Sequence, residues 1–152
     1  MRSLGNRPSP ILLSSSPLSV PEDEVSQKPR CRVLVVEDEA VIAMLVEDMV
    51  LDFGSEVVGP AARIEAAFDL ARRADLDAAI LDINVDGTDT FSVADELRER
   101  GVPLIFATGY GASVLPERFH DCPALAKPFS YQVLSEALHD VLAHQPCHIE
   151  AA

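Results

Sequence analysis

Tryptophan is absent from this sequence, and aromatic residues make up only 5% of it. A hydrophobic core must therefore be built from Val, Ile, Leu and Ala, and the hydrophobic content of 48% is enough for one. Long apolar runs are also missing, because the cluster at residues 11–13 is too short for a secretory leader or a membrane span. The length and composition predict one domain with tails and no membrane insertion.

Basic residues are few as well. The chain has 12 Lys and Arg against 25 Asp and Glu, which gives a formal net charge of −13. A body this acidic repels phosphate backbones and anionic lipids, so we expect no direct nucleic-acid or membrane binding. It suits a metal cation or a basic protein surface instead, although much of the charge excess serves solubility.

Cysteine is scarce, and Cys31, Cys122 and Cys147 lie far apart. Their odd number and the lack of a CxxC pair imply neither a disulfide framework nor a zinc site, and a reducing cytoplasm is the simplest location. Cys147 falls in residues 144–152, which we interpret as a C-terminal tail. Residues 1–30 are rich in Ser and Pro and predict a flexible N-terminal extension.

Between these tails, residues 31–143 alternate five times between short apolar runs and helical repeats. The predicted strands are residues 32–36, 56–59, 78–82, 102–107 and 124–127, and the predicted helices are residues 41–51, 63–73, 90–100 and 131–142. Residues 110–121 contain Pro116 and predict a stunted helix or an irregular loop. The alternation predicts a doubly wound α/β domain of the (βα)5, flavodoxin-like type, with a parallel sheet in the order 2-1-3-4-5.

Polar residues follow most of the predicted strands at their carboxyl ends. Glu37 and Asp38 follow the first strand, Asp82 the third, Thr108 the fourth and Lys127 the fifth. Open parallel sheets bind ligands at this edge, so we expect these side chains to converge there. Each residue alone has an ordinary reading as a helix cap, a turn residue or a solvated charge. Their joint placement at one edge favours a site.

Three carboxylates at such close range repel one another, and one would take up a proton unless a cation joins them. Mg²⁺ is the natural solution, because it prefers one or two carboxylates together with waters and phosphate oxygens. Thr108 could hydrogen-bond to a phosphoryl oxygen, and Lys127 could pair with one as a point charge. The pattern predicts a phosphoryl-transfer site with a carboxylate nucleophile.

Four motifs resemble those of the receiver domains of two-component signalling. They are VLVVEDE at residues 33–39, ILDIN at 80–84, FATG at 106–109 and KPF at 127–129. The resemblance covers residues 32–143, and it implies that Asp82 is phosphorylated and that Thr108 and Lys127 sense the phosphoryl group. It also implies a cis peptide before Pro128. The implied Mg²⁺ ligands are Glu37, largely through water, Asp38, Asp82 and the backbone carbonyl of Asn84.

One motif is similar to a subgroup of the family. Residues 106–110 resemble the FATGUY group of stand-alone receivers, although that group usually has Phe where this chain has Leu104. Most receivers carry an aromatic switch residue three positions before the lysine, where this chain has Ala124. Tyr110 is the nearest aromatic residue after Thr108, so we hypothesise that Tyr110 gates the site.

The resemblance implies a single-domain response regulator. It would accept its phosphoryl group from a histidine kinase or a phosphotransferase protein, and it would signal to a downstream protein target. We expect no output domain, because few residues follow the last helix. We expect the target to bind the face around the fourth helix, the fifth strand and the fifth helix, a face through which the protein could also form a homodimer.

Three alternatives stay open from the sequence. A phosphatase of the haloacid dehalogenase class needs a second Asp two residues after the nucleophile, where this chain has Asn84. A degenerate receiver would bind partners without being phosphorylated, although all the acceptor residues are present here. A flavodoxin-like cofactor binder needs a phosphate loop rich in Gly, Ser or Thr, where this chain has the acidic residues 37–39.

Overall fold

The computed structural model describes residues 30–110 and 112–147. The predicted N-terminal extension, apart from Arg30, and the end of the predicted tail therefore lie outside the described residues. The central strands are β1 (Arg32–Val36), β2 (Glu56–Ala61), β3 (Ala78–Asp82), β6 (Leu104–Thr108) and β7 (Ala124–Ala126), and a small antiparallel hairpin pairs β4 (Asn84–Val85) with β5 (Thr88–Asp89). The central strands form one parallel sheet in the order β2-β1-β3-β6-β7. This order confirms the predicted 2-1-3-4-5 topology.

Four α-helices cover the two faces of the sheet. They are α1 (Ala40–Phe53), α2 (Ile64–Arg73), α3 (Phe91–Glu99) and α4 (Tyr131–Leu142). Between β6 and β7 the described residues form two short 3-10 turns, Ala112–Val114 and Glu117–Phe119, and no α-helix, as predicted for this proline-interrupted stretch. No helix in the described part of the chain is long and apolar enough to cross a membrane.

The core lies on both faces of the sheet. Leu34 and Val36 of β1 pack with residues of α2 and α3, whereas Val33 and Val35 pack with residues of α1 and α4. This division follows from the strand geometry, in which successive side chains point to opposite faces. The apolar runs predicted to be strands are therefore buried on both sides, as expected for a parallel sheet.

Helix α1 buries only part of its apolar side chains. Val46 and Val50 are buried, but Val41, Met44 and Leu45, which share the apolar repeat, are more than half exposed. The apolar face of α1 is wider than the part of the helix that the sheet and α4 cover. Helix α1 therefore presents apolar side chains to solvent.

Strand β2 continues to Ala61, beyond the predicted end at Gly59. Gly59 has φ +95°, and a Cβ there would lie 2.8 Å from the backbone nitrogen of Ala61 and 3.0 Å from the carbonyl oxygen of Val35. Only glycine fits this close approach. The peptide bond from Gly59 to Pro60 is cis, as is the predicted cis bond from Lys127 to Pro128. The extension matters for the site, because the Ala61 carbonyl accepts the Glu37 N–H at 3.0 Å.

The prediction of no disulfide is wrong. Cys31 and Cys147 are bonded to each other, and Cys122 is free. The two bonded residues are 116 positions apart in sequence, but the fold brings the start of β1 to the chain segment that follows α4. Cys147 is also buried against the core rather than lying in a solvated tail.

Candidate functional site

Three carboxylates meet at the carboxyl edge of the sheet. Glu37 and Asp38 directly follow β1, and Asp82 ends the neighbouring strand β3. One carboxylate oxygen from each residue lies within 4.8 Å of the others. Glu37 and Asp82 are only 4% and 8% exposed, whereas Asp38 faces solvent. The predicted convergence of the acids is confirmed.

Lys127 joins the two buried acids. Its Nζ donates to Glu37 Oε1 at 3.2 Å and to Asp82 Oδ2 at 3.1 Å. The long side chain reaches these oxygens from the far side of β6, because Lys127 directly follows β7. One ammonium faces three carboxylates, so the site keeps a net negative charge that a divalent cation would neutralise.

The electrostatics of the site oppose the ionisation of Glu37. Burial raises the pKa of Glu37, and the nearby charge of Asp82 raises it further, against the Glu39 N–H and Lys127, which lower it. Burial acts to lower the pKa of Lys127, but its ion pairs with Asp82 and Glu37 outweigh burial and leave the pKa of Lys127 raised. Lys127 therefore stays charged, and a bound cation would favour the ionised form of Glu37.

The hairpin formed by β4 and β5 borders the acidic cluster. The Asn84 N–H donates to Asp82 Oδ1 at 3.4 Å, and Asn84 Oδ1 accepts the Gly87 N–H at 3.2 Å. The Asp86 N–H donates to Asp38 Oδ2 at 2.8 Å. The side chain of Asn84 thus closes the turn, and the role of its backbone carbonyl as a metal ligand stays a prediction.

Thr108 and Tyr110 are linked through the backbone. Thr108 ends β6 and is buried, and its Oγ1 accepts the Tyr110 N–H at 2.9 Å. Tyr110 is 83% exposed. The Thr108 hydroxyl is therefore in direct contact with the backbone at Tyr110, while the gating role of the ring stays a prediction.

Thr90 is a residue that sequence reasoning missed. Its Oγ1 donates to the backbone oxygen of Asp82 at 2.6 Å, and its N–H donates to the Ile83 oxygen at 2.9 Å. Thr90 is fully buried and fastens the start of α3 to the end of β3. Threonine before a helix normally indicates a cap for that helix, so no local signal in the sequence indicates this contact.

The donor set fits Mg²⁺. Carboxylate oxygens are ligands that Mg²⁺ prefers, and Mg²⁺ usually keeps several of its waters. The close approach of the three carboxylates supplies the ligands, and the exposed side of Asp38 gives access to water. Residues Glu37, Asp38 and Asp82 would hold the ion, which would neutralise charge at the site.

We expect Glu37→Gln to stabilise the metal-free protein and to weaken its response to Mg²⁺. When folding raises the pKa of a carboxyl group, the free energy of unfolding decreases as the pH rises past the pKa that the group has in the unfolded chain. The metal-free wild type should therefore lose stability as the pH rises above about 4, the ordinary pKa of a glutamate in the unfolded chain, and the variant should lose less. Mg²⁺ at roughly 100 times its dissociation constant should stabilise the wild type by about 2.7 kcal/mol.

Urea unfolding with and without Mg²⁺ measures both effects. Glu39→Gln is the matched control, because Glu39 is an exposed acid in the same loop outside the carboxylate cluster. It should respond to Mg²⁺ as the wild type does. An equal Mg²⁺ response in the two variants would argue against Glu37 as part of the metal site.

Comparison with known proteins shows which family the chain resembles. Residues 33–139 match the family model of the response regulator receiver domain. The transcriptional regulatory protein PdtaR of Mycobacterium tuberculosis is 34% identical over 111 residues, which cover 70% of this chain and 54% of PdtaR. The chain thus spans about half the length of this relative.

Solved structures agree with the fold. The solution structure of SdrG from Sphingomonas melonis Fr1 is 36% identical, with a TM-score of 0.67 over 74% of this chain and 97% of SdrG. The receiver domain of the sensor histidine kinase PA1611 from Pseudomonas aeruginosa PAO1 is 26% identical, with a TM-score of 0.65 over 75% of this chain and 98% of that one. That crystal structure has a magnesium ion coordinated in its active site cleft.

Proposed function

Because this chain belongs to the response regulator receiver domain family, we propose that it accepts a phosphoryl group on Asp82 in a Mg²⁺-dependent reaction. The donor would be a histidine kinase or phosphotransferase protein in the cytoplasm. Members of this family are signalling proteins rather than classical enzymes. The main observation that supports this proposal is that Glu37, Asp38 and Asp82 meet at one edge of the sheet with Lys127.

Asp82 is the acid best placed to act as the nucleophile. It ends the central strand β3, and its Oδ1 accepts only a long bond, at 3.4 Å, from Asn84. In the proposed step, a carboxylate oxygen of Asp82 forms a bond to phosphorus and the bond from phosphorus to the donor imidazole nitrogen breaks. Bound Mg²⁺ supplies neutralisation of charge on the phosphoryl oxygens. Lys127 can transfer its hydrogen bond from Asp82 Oδ2 to a phosphoryl oxygen.

The same step supplies a route for the signal. If the Thr108 side chain rotates to donate its hydroxyl to the phosphoryl group, its Oγ1 moves away from the Tyr110 N–H whose hydrogen bond it now accepts. The backbone at Tyr110 then loses a partner at the entrance to residues 112–122. We propose that this segment shifts its population between two conformations and that the downstream target binds the face formed with β7 and α4.

The proposed function is tested by phosphorylation of the purified full chain with acetyl phosphate, with and without Mg²⁺. We expect the intact mass to rise by one phosphoryl group only when Mg²⁺ is present, and we expect the product to be labile in base. A histidine phosphotransferase serves as a second donor. Failure with both donors would overturn the proposal and favour a degenerate receiver.

An apolar surface beside the site is suited to the phosphodonor protein. It consists of the exposed residues Val41 and Met44 and a groove of about 230 Å³ that is lined by Ile42, Leu45, Val46, Met49, Lys127, Pro128 and Phe129. Lys127 belongs to both the groove and the acidic site. The acids Glu47 and Asp48 also lie on α1, so we propose that an amphipathic donor helix with flanking basic residues binds here.

We expect Leu45→Glu to slow phosphotransfer from the donor protein by about tenfold or more, because it places a charge in the apolar groove. Its rate of phosphorylation by acetyl phosphate should not change. Leu51→Glu is the matched control, since Leu51 is exposed on the same helix but does not line the groove. Stopped-time phosphotransfer assays measure both rates. Equal effects of the two substitutions would contradict the proposed docking surface.

A further inference from the structure

A cysteine pair lies at the opposite end of the sheet from the acidic site. Cys31 directly precedes β1 and Cys147 follows α4, and their Cα atoms are 5.0 Å apart. Both are buried, with 0% and 4% exposure, among core residues beneath α1 and α4. The chain between them contains the whole described sheet and its helices. A bond here therefore ties the two ends of the domain together.

We propose that Cys31 and Cys147 are a redox-active pair. In this proposal they are thiols in a reducing cytoplasm, and a low-molecular-weight disulfide such as oxidised glutathione converts them to the disulfide. Oxidation then locks the ends of the domain together and leaves phosphorylation of Asp82 unchanged. The redox reaction does not depend on the proposed function, because it concerns different residues, and only the comparison of phosphorylation rates rests on that function.

Cys147 is the sulfur placed to react first. Residues 143–147 are attached to α4 by the Ala143 N–H, which donates to Asp140 at 3.4 Å, and the Gln145 N–H, which donates to Leu142 at 3.1 Å. Opening this short segment breaks few bonds and exposes Cys147. Cys31 is held more firmly, because its carbonyl accepts the Glu56 N–H at 2.8 Å beside β2.

The reaction is thiol–disulfide exchange in two steps. The thiolate of Cys147 attacks one sulfur of the glutathione disulfide, which forms a mixed disulfide and releases one glutathione. The thiolate of Cys31 then attacks the Cys147 sulfur, forms the protein disulfide and releases the second glutathione. The protein loses two electrons and two protons, and the two released thiols carry them.

The position of the pair separates its effect from phosphorylation. Strand β1 has five residues, so at about 3.3 Å per residue roughly 17 Å of strand separates Cys31 from the acidic edge. The sequence separation of 116 residues makes the bond a strong restraint on the unfolded chain. We therefore expect oxidation to change stability and not the chemistry at Asp82.

Alkylation of the full chain in glutathione buffers tests the proposal. The protein is equilibrated at different ratios of reduced to oxidised glutathione, quenched in acid, denatured and labelled with N-ethylmaleimide. We expect all three cysteines to be labelled at the reducing end and Cys122 alone at the oxidising end. Cys122→Ser is the matched control, and its two remaining thiols should still disappear together.

Several outcomes would overturn the proposal. One is labelling of Cys31 and Cys147 at every ratio, and another is a disulfide that no reducing buffer opens in the folded protein. A third is tight Zn²⁺ binding by the reduced pair with Asp77, whose carboxylate lies near both sulfurs, if this binding keeps the thiols reduced in oxidised glutathione.

A second readout compares the oxidised and reduced forms of the wild-type protein. Oxidised wild-type protein should melt roughly 10 °C above the reduced protein, and the two forms should take up phosphoryl groups from acetyl phosphate at the same rate. The melting difference should vanish in the Cys31→Ser/Cys147→Ser variant. Equal melting of the two wild-type forms, or a loss of phosphorylation on oxidation, would contradict the proposal.

Discussion

Asp82→Asn should take up no phosphoryl group from acetyl phosphate or from a donor protein, whatever the Mg²⁺ concentration. The amide keeps the size and shape of the carboxyl group but lacks the anionic oxygen that attacks phosphorus. Lys127 keeps its bond to Glu37 at 3.2 Å, so the fold should survive the change. Intact mass after incubation measures the loss, and circular dichroism checks the fold.

Asp86→Asn is the matched control for this variant. Asp86 lies four residues later at the same edge of the sheet, but it is exposed and outside the carboxylate cluster. Its contact with Asp38 is made by the backbone N–H, which the substitution keeps. This variant should be phosphorylated like the wild type. Phosphorylation of Asp82→Asn at a comparable rate would make another acid the acceptor.

Phe119→Ala should destabilise the protein by about 3–5 kcal/mol, the usual cost of removing a buried aromatic ring. Phe119 is fully buried, and its ring centroid lies 5.3 Å from that of Phe106 and 6.0 Å from that of Phe91. The guanidinium groups of Arg98 and Arg118 lie over its ring at 5.2 and 4.7 Å. Phe119 therefore fastens the short segment before β7 to α3 and β6.

Urea unfolding monitored by circular dichroism measures this loss. Tyr131→Ala is the control, because it removes an aromatic ring that is partly exposed at the start of α4. The control should cost much less than Phe119→Ala. A loss below about 1 kcal/mol for Phe119→Ala, typical of a surface substitution, would show that the ring does not support this part of the core.

The sheet and the edge that carries the site could be predicted because both depend on local patterns. Apolar runs that end at Glu37, Asp82 and Lys127 indicate where these strands end. Because the strands are parallel, their ends lie together at one edge of the sheet. The stunted segment around Pro116 follows from a single residue with a strong preference.

The features that were missed depend on contacts between distant segments. No repeat in the sequence indicates these contacts. They are the hydrogen bond from Thr90 to the Asp82 carbonyl, the hydrogen bond from the Glu37 N–H to the Ala61 carbonyl and the disulfide between Cys31 and Cys147. The exposure of apolar residues on α1 could not be predicted either, since an apolar repeat does not indicate how much of a helix its neighbours cover.

The subgroup likeness and the gating role of Tyr110 are among the features that remain predictions after the structure. The likeness of residues 106–110 to one group of stand-alone receivers rests on the sequence alone. The gating role of Tyr110 rests on its backbone bond to Thr108 and on the small residue at Ala124. The gating role concerns motion after phosphorylation, which depends on the relative free energies of two conformations.

The most direct test of the central claim is to locate the phosphoryl group. The protein is phosphorylated with acetyl phosphate and Mg²⁺, reduced with sodium borohydride, which converts an aspartyl phosphate to homoserine, and digested for tandem mass spectrometry. We predict homoserine at position 82 alone, and none when Mg²⁺ is omitted. Homoserine at another position, or at position 82 without Mg²⁺, would contradict the assignment of Asp82 as a metal-assisted phosphoacceptor.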